Sequence, residues 1–170
     1  MILRFRQQGV ALVENALTMA FFLMLVMAIL EFSLLMYVWS RGAEAARAAS
    51  RHAIVSDAII DLAILECAGG SALEVRTDCS GIGKCEELMK RVRAFLPQVR
   101  PENVIVSYRC SGAGFAGRPG DMVIPEVQVE INNLQYQMII PALFGLPRNW
   151  TLPSMRSTRT GEDMETVSAP

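Results

Sequence analysis

The chain has 170 residues, of which 52% are hydrophobic, and its 16 Lys and Arg residues nearly balance its 17 Asp and Glu residues. A chain of this length has room for one apolar anchor and one modest domain. The sequence pI of about 5.9 lies well below the value of roughly 9 above which a nucleic-acid-binding domain is indicated. We therefore expect no nucleic-acid partner.

The N-terminus combines a short basic leader with a long apolar segment. Arg4 and Arg6 precede Gly9, and residues 10–39 then contain only two charged side chains. As an α-helix, this apolar segment would be about 45 Å long, enough to cross a hydrocarbon core of about 30 Å. Because basic flanks stay on the cytoplasmic side, we expect a single span with its N-terminus inside and the rest of the chain exported.

The two charged residues of the apolar segment are Glu14 and Glu31. A charge at the centre of a membrane helix costs about 2.5–3.5 kcal/mol on insertion scales, so an acid within the span is a functional candidate. The spacing of Val10 and Glu14 places them on one helix face. We expect Glu31 to be an interfacial residue near the outer headgroups.

Helical character is predicted to continue beyond the span, over residues 41–66. Gly69 and Gly70 should end this helix, and a polar loop should follow as far as Gly83. Small residues on the helix permit close packing, either on the globular domain, which we favour, or on a neighbouring subunit. These residues are Ala43, Ala46, Ala49 and Ala53.

The remaining segments predict one helix and an antiparallel sheet. Residues 84–96 favour a helix that ends before Pro97, and residues 102–109 and 127–131 alternate as half-buried strands do. Asn132 and Asn133 favour a hairpin turn into residues 134–138, and residues 152–160 favour an edge strand. The glycine-rich residues 111–121 favour a surface loop. The predicted fold class is α+β: a long N-terminal transmembrane helix that continues into a small exported domain with an antiparallel sheet.

All four cysteines follow the apolar segment: Cys67, Cys79, Cys85 and Cys110. An even number of cysteines in an exported domain favours disulfides, and four cysteines allow three pairings. We favour Cys85–Cys110 and Cys67–Cys79, because Cys85 opens the predicted helix and Cys110 ends the strand expected beside it. A zinc site is the alternative, but the spacings contain no C-x-x-C pair.

The sequence contains no recognisable catalytic constellation. His52 is the sole histidine, and no serine or cysteine lies in a nucleophile-like context. The glycines around residue 114 lack the strand-to-helix setting that phosphate binding needs. We expect no enzymatic activity, no cofactor and no metal site, and we interpret His52 as a helix surface residue.

The N-terminal segment resembles the pilin-like proteins of type IV pilus systems, and more closely the TadE-like family of tight-adherence (Tad) pili. Gly9, Val10 and Glu14 ahead of the apolar helix carry the pilin-type resemblance. Residues 29–32, 35–38 and 45–51 carry the TadE-like resemblance, with a weaker similarity at residues 152–162. Asn15 departs from the apolar residue that often follows the acid in such proteins.

The resemblance implies how the protein is made and used. A prepilin peptidase would remove residues 1–9 by cutting between Gly9 and Val10. Residues 10–39 would then form the transmembrane and assembly helix, and residues 40–170 a periplasmic domain. Glu14 would pair with the terminal amine of an adjacent subunit, since burying either charge alone is costly.

The implied protein is a minor pilin or pseudopilin that supports assembly of a Tad-type adhesive pilus from the bacterial inner membrane. Its partners would be the prepilin peptidase, other pilin-like subunits, the pilus assembly platform and inner-membrane lipid. Two alternatives stay open: a pseudopilin of another secretion or competence system, and a signal-anchored periplasmic scaffold or binding protein. A cleaved secretory signal is disfavoured, because its apolar core would be only about 7–15 residues long.

Overall fold

The computed structural model describes residues 2–60, 74–114 and 123–161. The chain divides into two compact units. The first contains Met1–Tyr37 with Tyr136–Trp150, and the second contains Val38–Gln135 with Thr151–Pro170. Helix α1 (Ile2–Ala53) contributes its apolar part to the first unit and its Ala-rich part to the second.

Helix α1 is continuous from Ile2 through the apolar segment, but it ends earlier than the sequence predicted. The expected helix over residues 41–66 stops at Ala53. The carbonyl of His52 accepts the Ser56 backbone N–H at 3.1 Å and the Ser56 hydroxyl at 2.8 Å. Back-bonding of a serine hydroxyl to the carbonyl four residues before it slightly destabilises a helix. Residues 61–66 and the Gly69–Gly70 stop lie outside the described residues.

The second unit contains a four-stranded antiparallel sheet, formed by β1 (Glu74–Asp78), β2 (Val104–Gly114), β3 (Val123–Ile131) and β6 (Met155–Thr160). The strands lie in the order β1-β2-β3-β6. The predicted alternation in β2 and β3 and the predicted C-terminal edge strand are confirmed. Strand β1 was missed. Residues 111–114, expected in a loop, continue β2, and residues 115–121 of that loop lie outside the described residues.

One face of this sheet forms the core of the unit. Its central side chains are fully buried and come from registered positions of β2 and β3: Val104, Val106, Tyr108, Val127, Val129 and Ile131. Helix α2 (Glu86–Phe95) buries Leu88, Met89 and Val92, and short 3-10 helices at Gly83–Cys85 and Pro101–Asn103 precede α2 and β2. The predicted α+β fold, with a long apolar helix followed by an antiparallel sheet, is confirmed.

The opposite face of the sheet is polar and carries ion pairs between strands. Arg109 donates to Glu74 at 3.0 Å, and Arg76 donates to Glu130 at 2.9 Å. Arg156 of β6 lies 3.9 Å from the same Glu130 carboxylate. An antiparallel sheet with one packed and one solvated face shows this alternation of apolar and polar positions.

The predicted hairpin between residues 127–131 and 134–138 is wrong. Asn133 does adopt the left-handed backbone conformation that is common in turns, with a φ of 52°. However, β4 (Gln135–Gln137) pairs with β5 (Asn149–Thr151), while the edge of β3 is paired with β6. Because β6 occupies that edge, the chain leaves the sheet after Ile131. The carbonyl of Leu134 then accepts the Leu152 N–H at 2.8 Å.

The predicted disulfide pairing is also wrong. Cys79 is joined to Cys85, with their Cα atoms 5.5 Å apart, within the usual range for a disulfide. Cys79 follows the end of β1, and the 3-10 turn at Gly83–Cys85 brings Cys85 back beside it. Cys110 is disulfide-bonded as well, so Cys85 is not its partner. Cys67 lies outside the described residues.

Candidate membrane and assembly helix

The apolar part of α1 presents its side chains outward. Among the described residues, one helix is both long enough and apolar enough to cross a membrane, namely α1 from Gly9 to Ala53. Its most apolar stretch is not buried within the protein. Exposed side chains along it include Leu12, Phe21, Leu25 and Ile29. A helix that is apolar all round and uncovered by its own chain requires an apolar environment.

Two hydroxyl side chains of this helix bond back to its own backbone. Thr18 Oγ1 donates to the carbonyl of Asn15 at 3.0 Å, and Ser33 Oγ donates to that of Ile29 at 2.8 Å. Hydroxyls satisfied in this way remove much of the cost of placing Ser or Thr in hydrocarbon. The helix is therefore suited to a lipid or protein environment over this stretch.

The three residues expected to govern processing and assembly lie on one exposed stretch of α1. A Cβ placed on Gly9 would meet no atom within 4 Å, and Val10 and Glu14 are exposed. Because α1 is helical here, Val10 and Glu14 lie one turn apart on the same face. A cut between Gly9 and Val10 would place Glu14 near the helix N-terminus, where a negative charge is favourable.

Glu31 has backbone partners within the same unit. Its carboxylate accepts the N–H of Ile139, and its other oxygen accepts the N–H of Ile140 at 2.9 Å. These two residues begin helix α3 (Ile140–Leu143). This contact could not be predicted from the sequence, because the partners are backbone groups 108 and 109 positions away.

The Ala-rich part of α1 packs within the second unit through small side chains. Its buried positions are Gly42, Ala45, Ala46, Ala49, Ser50 and Ala53. The Ser50 hydroxyl lies 3.0 Å from that of Ser157 in β6, and the Arg41 guanidinium lies 5.2 Å from the ring centre of Phe95 in α2. The predicted packing of the helix on the domain through its small residues is confirmed, except that Ala43 is half-buried whereas Gly42 and Ala45 are buried.

His52 lies in the last turn of α1 and is half-buried. Burial, with the Arg91 guanidinium nearby, lowers the pKa of His52, so the imidazole is biased towards its neutral form. Within the part of the chain that the structure describes, no group of three or more His, Cys, Asp or Glu side chains is placed to hold a metal ion.

A long apolar N-terminal helix followed by a small antiparallel-sheet domain is consistent with a single-pass membrane anchor of the pilin-like class. Residues 9–51 match the family model described as TadE-like protein, which confirms the resemblance of this segment. That family is structural and non-enzymatic, and the match relates the chain to Tad pilus systems. Neither a curated protein nor a solved structure was found to match the chain.

Proposed function

We propose that the chain is a minor pilin or pseudopilin that supports assembly of a Tad-type adhesive pilus. A prepilin peptidase would cut between Gly9 and Val10, leaving a mature protein anchored in the bacterial inner membrane with its domain in the periplasm. Its partners would be other pilin-like subunits and the assembly platform. The match to the TadE-like family over residues 9–51 is the observation that carries this proposal.

The placement of Glu14 supports an assembly role for that residue. It is exposed on an apolar helix, and the structure gives it no ion pair among the described residues. An isolated carboxylate in hydrocarbon is costly, so a cation from another subunit would stabilise it. The amine of a second mature chain at Val10 supplies such a cation, and the pair would favour one axial register between subunits.

The cysteine chemistry supports an exported domain. The Cys79–Cys85 bond lies in the second unit, beyond the membrane segment. Disulfides persist in the bacterial periplasm and are rare in the cytosol. The proposed orientation, with Arg4 and Arg6 inside, places this unit on the oxidising side of the membrane.

The proposal is tested by replacing Glu14 without touching the processing site. Glu14→Ala should be inserted and cleaved like the wild type but should fail to crosslink to other pilin-like subunits. Surface pili, counted by electron microscopy in cells lacking the wild-type gene, should be strongly reduced. Asn15→Ala is the matched control, because it removes a neighbouring polar group that points about 100° away around the helix. Normal piliation with Glu14→Ala would refute the assembly role.

A further inference from the structure

A second apolar surface lies in the first unit, beside the membrane helix rather than in it. Residues 139–150 expose large apolar side chains, among them Leu143 at 73%, Phe144 at 60% and Trp150 at 49%. Exposed Ile139 and Leu146 extend the same surface. We propose that residues 139–150 form a membrane-contacting element that inserts into the outer headgroup and acyl boundary of the inner membrane next to α1. This inference rests on the membrane anchor of the proposed function.

The carboxylate of Glu31 attaches this element to α1. It accepts hydrogen bonds from the backbone N–H groups of both Ile139 and Ile140. The charged side chain in the apolar helix and two backbone donors of the element therefore have each other as hydrogen-bond partners. Hydrogen bonds to a charged acceptor are about twice as strong as neutral ones. Without them, the carboxylate and both N–H groups would each need other partners at this depth.

The position of Glu31 along α1 sets the depth of the element. At 1.5 Å per residue, Val10 and Glu31 are separated by about 32 Å, close to the hydrocarbon thickness of about 30 Å. With Val10 at the inner boundary, Glu31 therefore lies at the outer boundary. Because Ile139 and Ile140 are bonded to Glu31, residues 139–150 begin at that same level.

The backbone of the element is suited to a region with little water. The N–H groups of Leu143, Phe144, Gly145 and Leu146 bond to carbonyls of residues 139–142, and that of Met138 bonds to the Arg148 carbonyl at 2.8 Å. The two prolines, Pro141 and Pro147, have no N–H to satisfy. Lipid tolerates only backbone whose polar groups are paired internally, and this turn largely meets that condition.

The composition of the element matches an interface with anionic lipid. Residues 138–153 contain no Asp or Glu, and Arg148 is their only charged side chain. Trp150 is partly exposed, and its indole N–H donates to the Pro147 carbonyl at 3.1 Å. Tryptophan is enriched at membrane interfaces, and a basic residue beside it is attracted to anionic headgroups. A neighbouring protein subunit is the competing occupant of this surface.

Tryptophan quenching in vesicles tests the inference directly. In Trp39→Phe, Trp150 is the only tryptophan of the full-length protein. Vesicles of phosphatidylcholine and phosphatidylglycerol with brominated acyl chains should strongly reduce its emission, and aqueous iodide should quench it weakly. As a control for a water-exposed site, Glu86→Trp in a background with Trp39→Phe and Trp150→Phe should show the opposite pattern. Quenching of Trp150 by iodide but not by brominated lipid would overturn the inference.

A third variant distinguishes failure of the proposed membrane anchor from failure of the membrane-contacting element. Phe22→Trp, in the same background without Trp39 and Trp150, reports the exposed middle of α1. If brominated lipid quenches this probe but not Trp150, the anchor stands and the inference fails. If it quenches neither, the proposed membrane anchor has failed as well.

The role of Glu31 is tested by Glu31→Leu in the Trp39→Phe protein. Without the two carboxylate oxygens that accept the Ile139 and Ile140 N–H groups, the element should detach from α1. Quenching of Trp150 by brominated lipid should then fall, and quenching by iodide should rise. Ser33→Ala is the matched control, since its hydroxyl bonds only within α1, and it should change neither value. An unchanged pattern in Glu31→Leu would overturn the attachment.

A photoreactive group at Leu143 that captures a protein instead of lipid in cells would overturn the choice of lipid as the occupant.

Discussion

The hydroxyl of Tyr108 holds the chain that follows α1 against the sheet. Tyr108 is fully buried in β2, and its oxygen accepts the backbone N–H of Ile59 at 3.1 Å. Tyr108→Phe keeps the ring but removes this acceptor, so the Ile59 N–H is left buried without its partner. A buried donor without a partner costs about 1–3 kcal/mol, a substantial share of the 5–15 kcal/mol that stabilises a typical domain.

The expected loss can be measured calorimetrically on the full-length protein in detergent. For a domain of this size, 1 kcal/mol corresponds to about 4 °C in Tm, so Tyr108→Phe should lower Tm by about 4–12 °C. Tyr136→Phe removes the same group from a half-buried ring in β4 and should change Tm little. A Tyr108→Phe protein as stable as the wild type would refute the reasoning.

The same residue predicts a pH dependence. Burial raises the pKa of Tyr108 above its ordinary value of 10.0, although the hydrogen bond from Ile59 opposes the shift. The folded state therefore keeps the phenol proton to higher pH than the unfolded chain does. Its contribution to stability is complete below about pH 10 and is lost as the pH rises through the folded pKa. The difference in Tm between wild type and Tyr108→Phe should accordingly narrow above pH 10.

Two further perturbations test the packing and crosslinks of the second unit. Gly42→Leu would force a bulky side chain against Met155 in β6 and Leu96, and this overpacking should destabilise the protein by about 1–3 kcal/mol; an unchanged Tm would contradict the close approach of α1 to β6. Replacing Cys79 and Cys85 together by Ala should cost about 2 kcal/mol, the value expected for so short a loop. A non-reducing peptide map of the wild type should show the Cys79–Cys85 bridge, and a Cys85–Cys110 peptide would contradict the structure.

The elements that the sequence predicted correctly are those with local patterns. Strands β2 and β3 alternate with a period of two, because one face packs in the core and the other carries the ion pairs. Helix α2 has its apolar side chains on one side, and Pro97 follows its end. The motif around Gly9, Val10 and Glu14 is likewise contiguous, so the TadE-like segment was recognisable without knowledge of the fold.

The features that the sequence failed to predict depend on distant partners. Asn133 does adopt a left-handed backbone conformation that suits a turn, yet β6, distant in sequence, takes the place beside β3 that the hairpin required. Strand β1 has Val75 as its only apolar residue and is stabilised by pairing with β2. The Cys79–Cys85 bond depends on a 3-10 turn, and the Glu31 contact depends on backbone groups with no sequence signature.

The position of the mature N-terminus, determined by mass spectrometry, tests most directly the claim that the chain is processed as a pilin-like protein. In cells with an active prepilin peptidase, mass spectrometry should find a chain that begins at Val10. Gly9→Leu should remain uncut, because a bulky side chain there would hinder close approach of the peptidase, whereas Ala16→Leu adds similar bulk beyond the site and should be processed. A chain that begins at Met1 in wild-type cells, or one that begins beyond Tyr37, would contradict the pilin-like account.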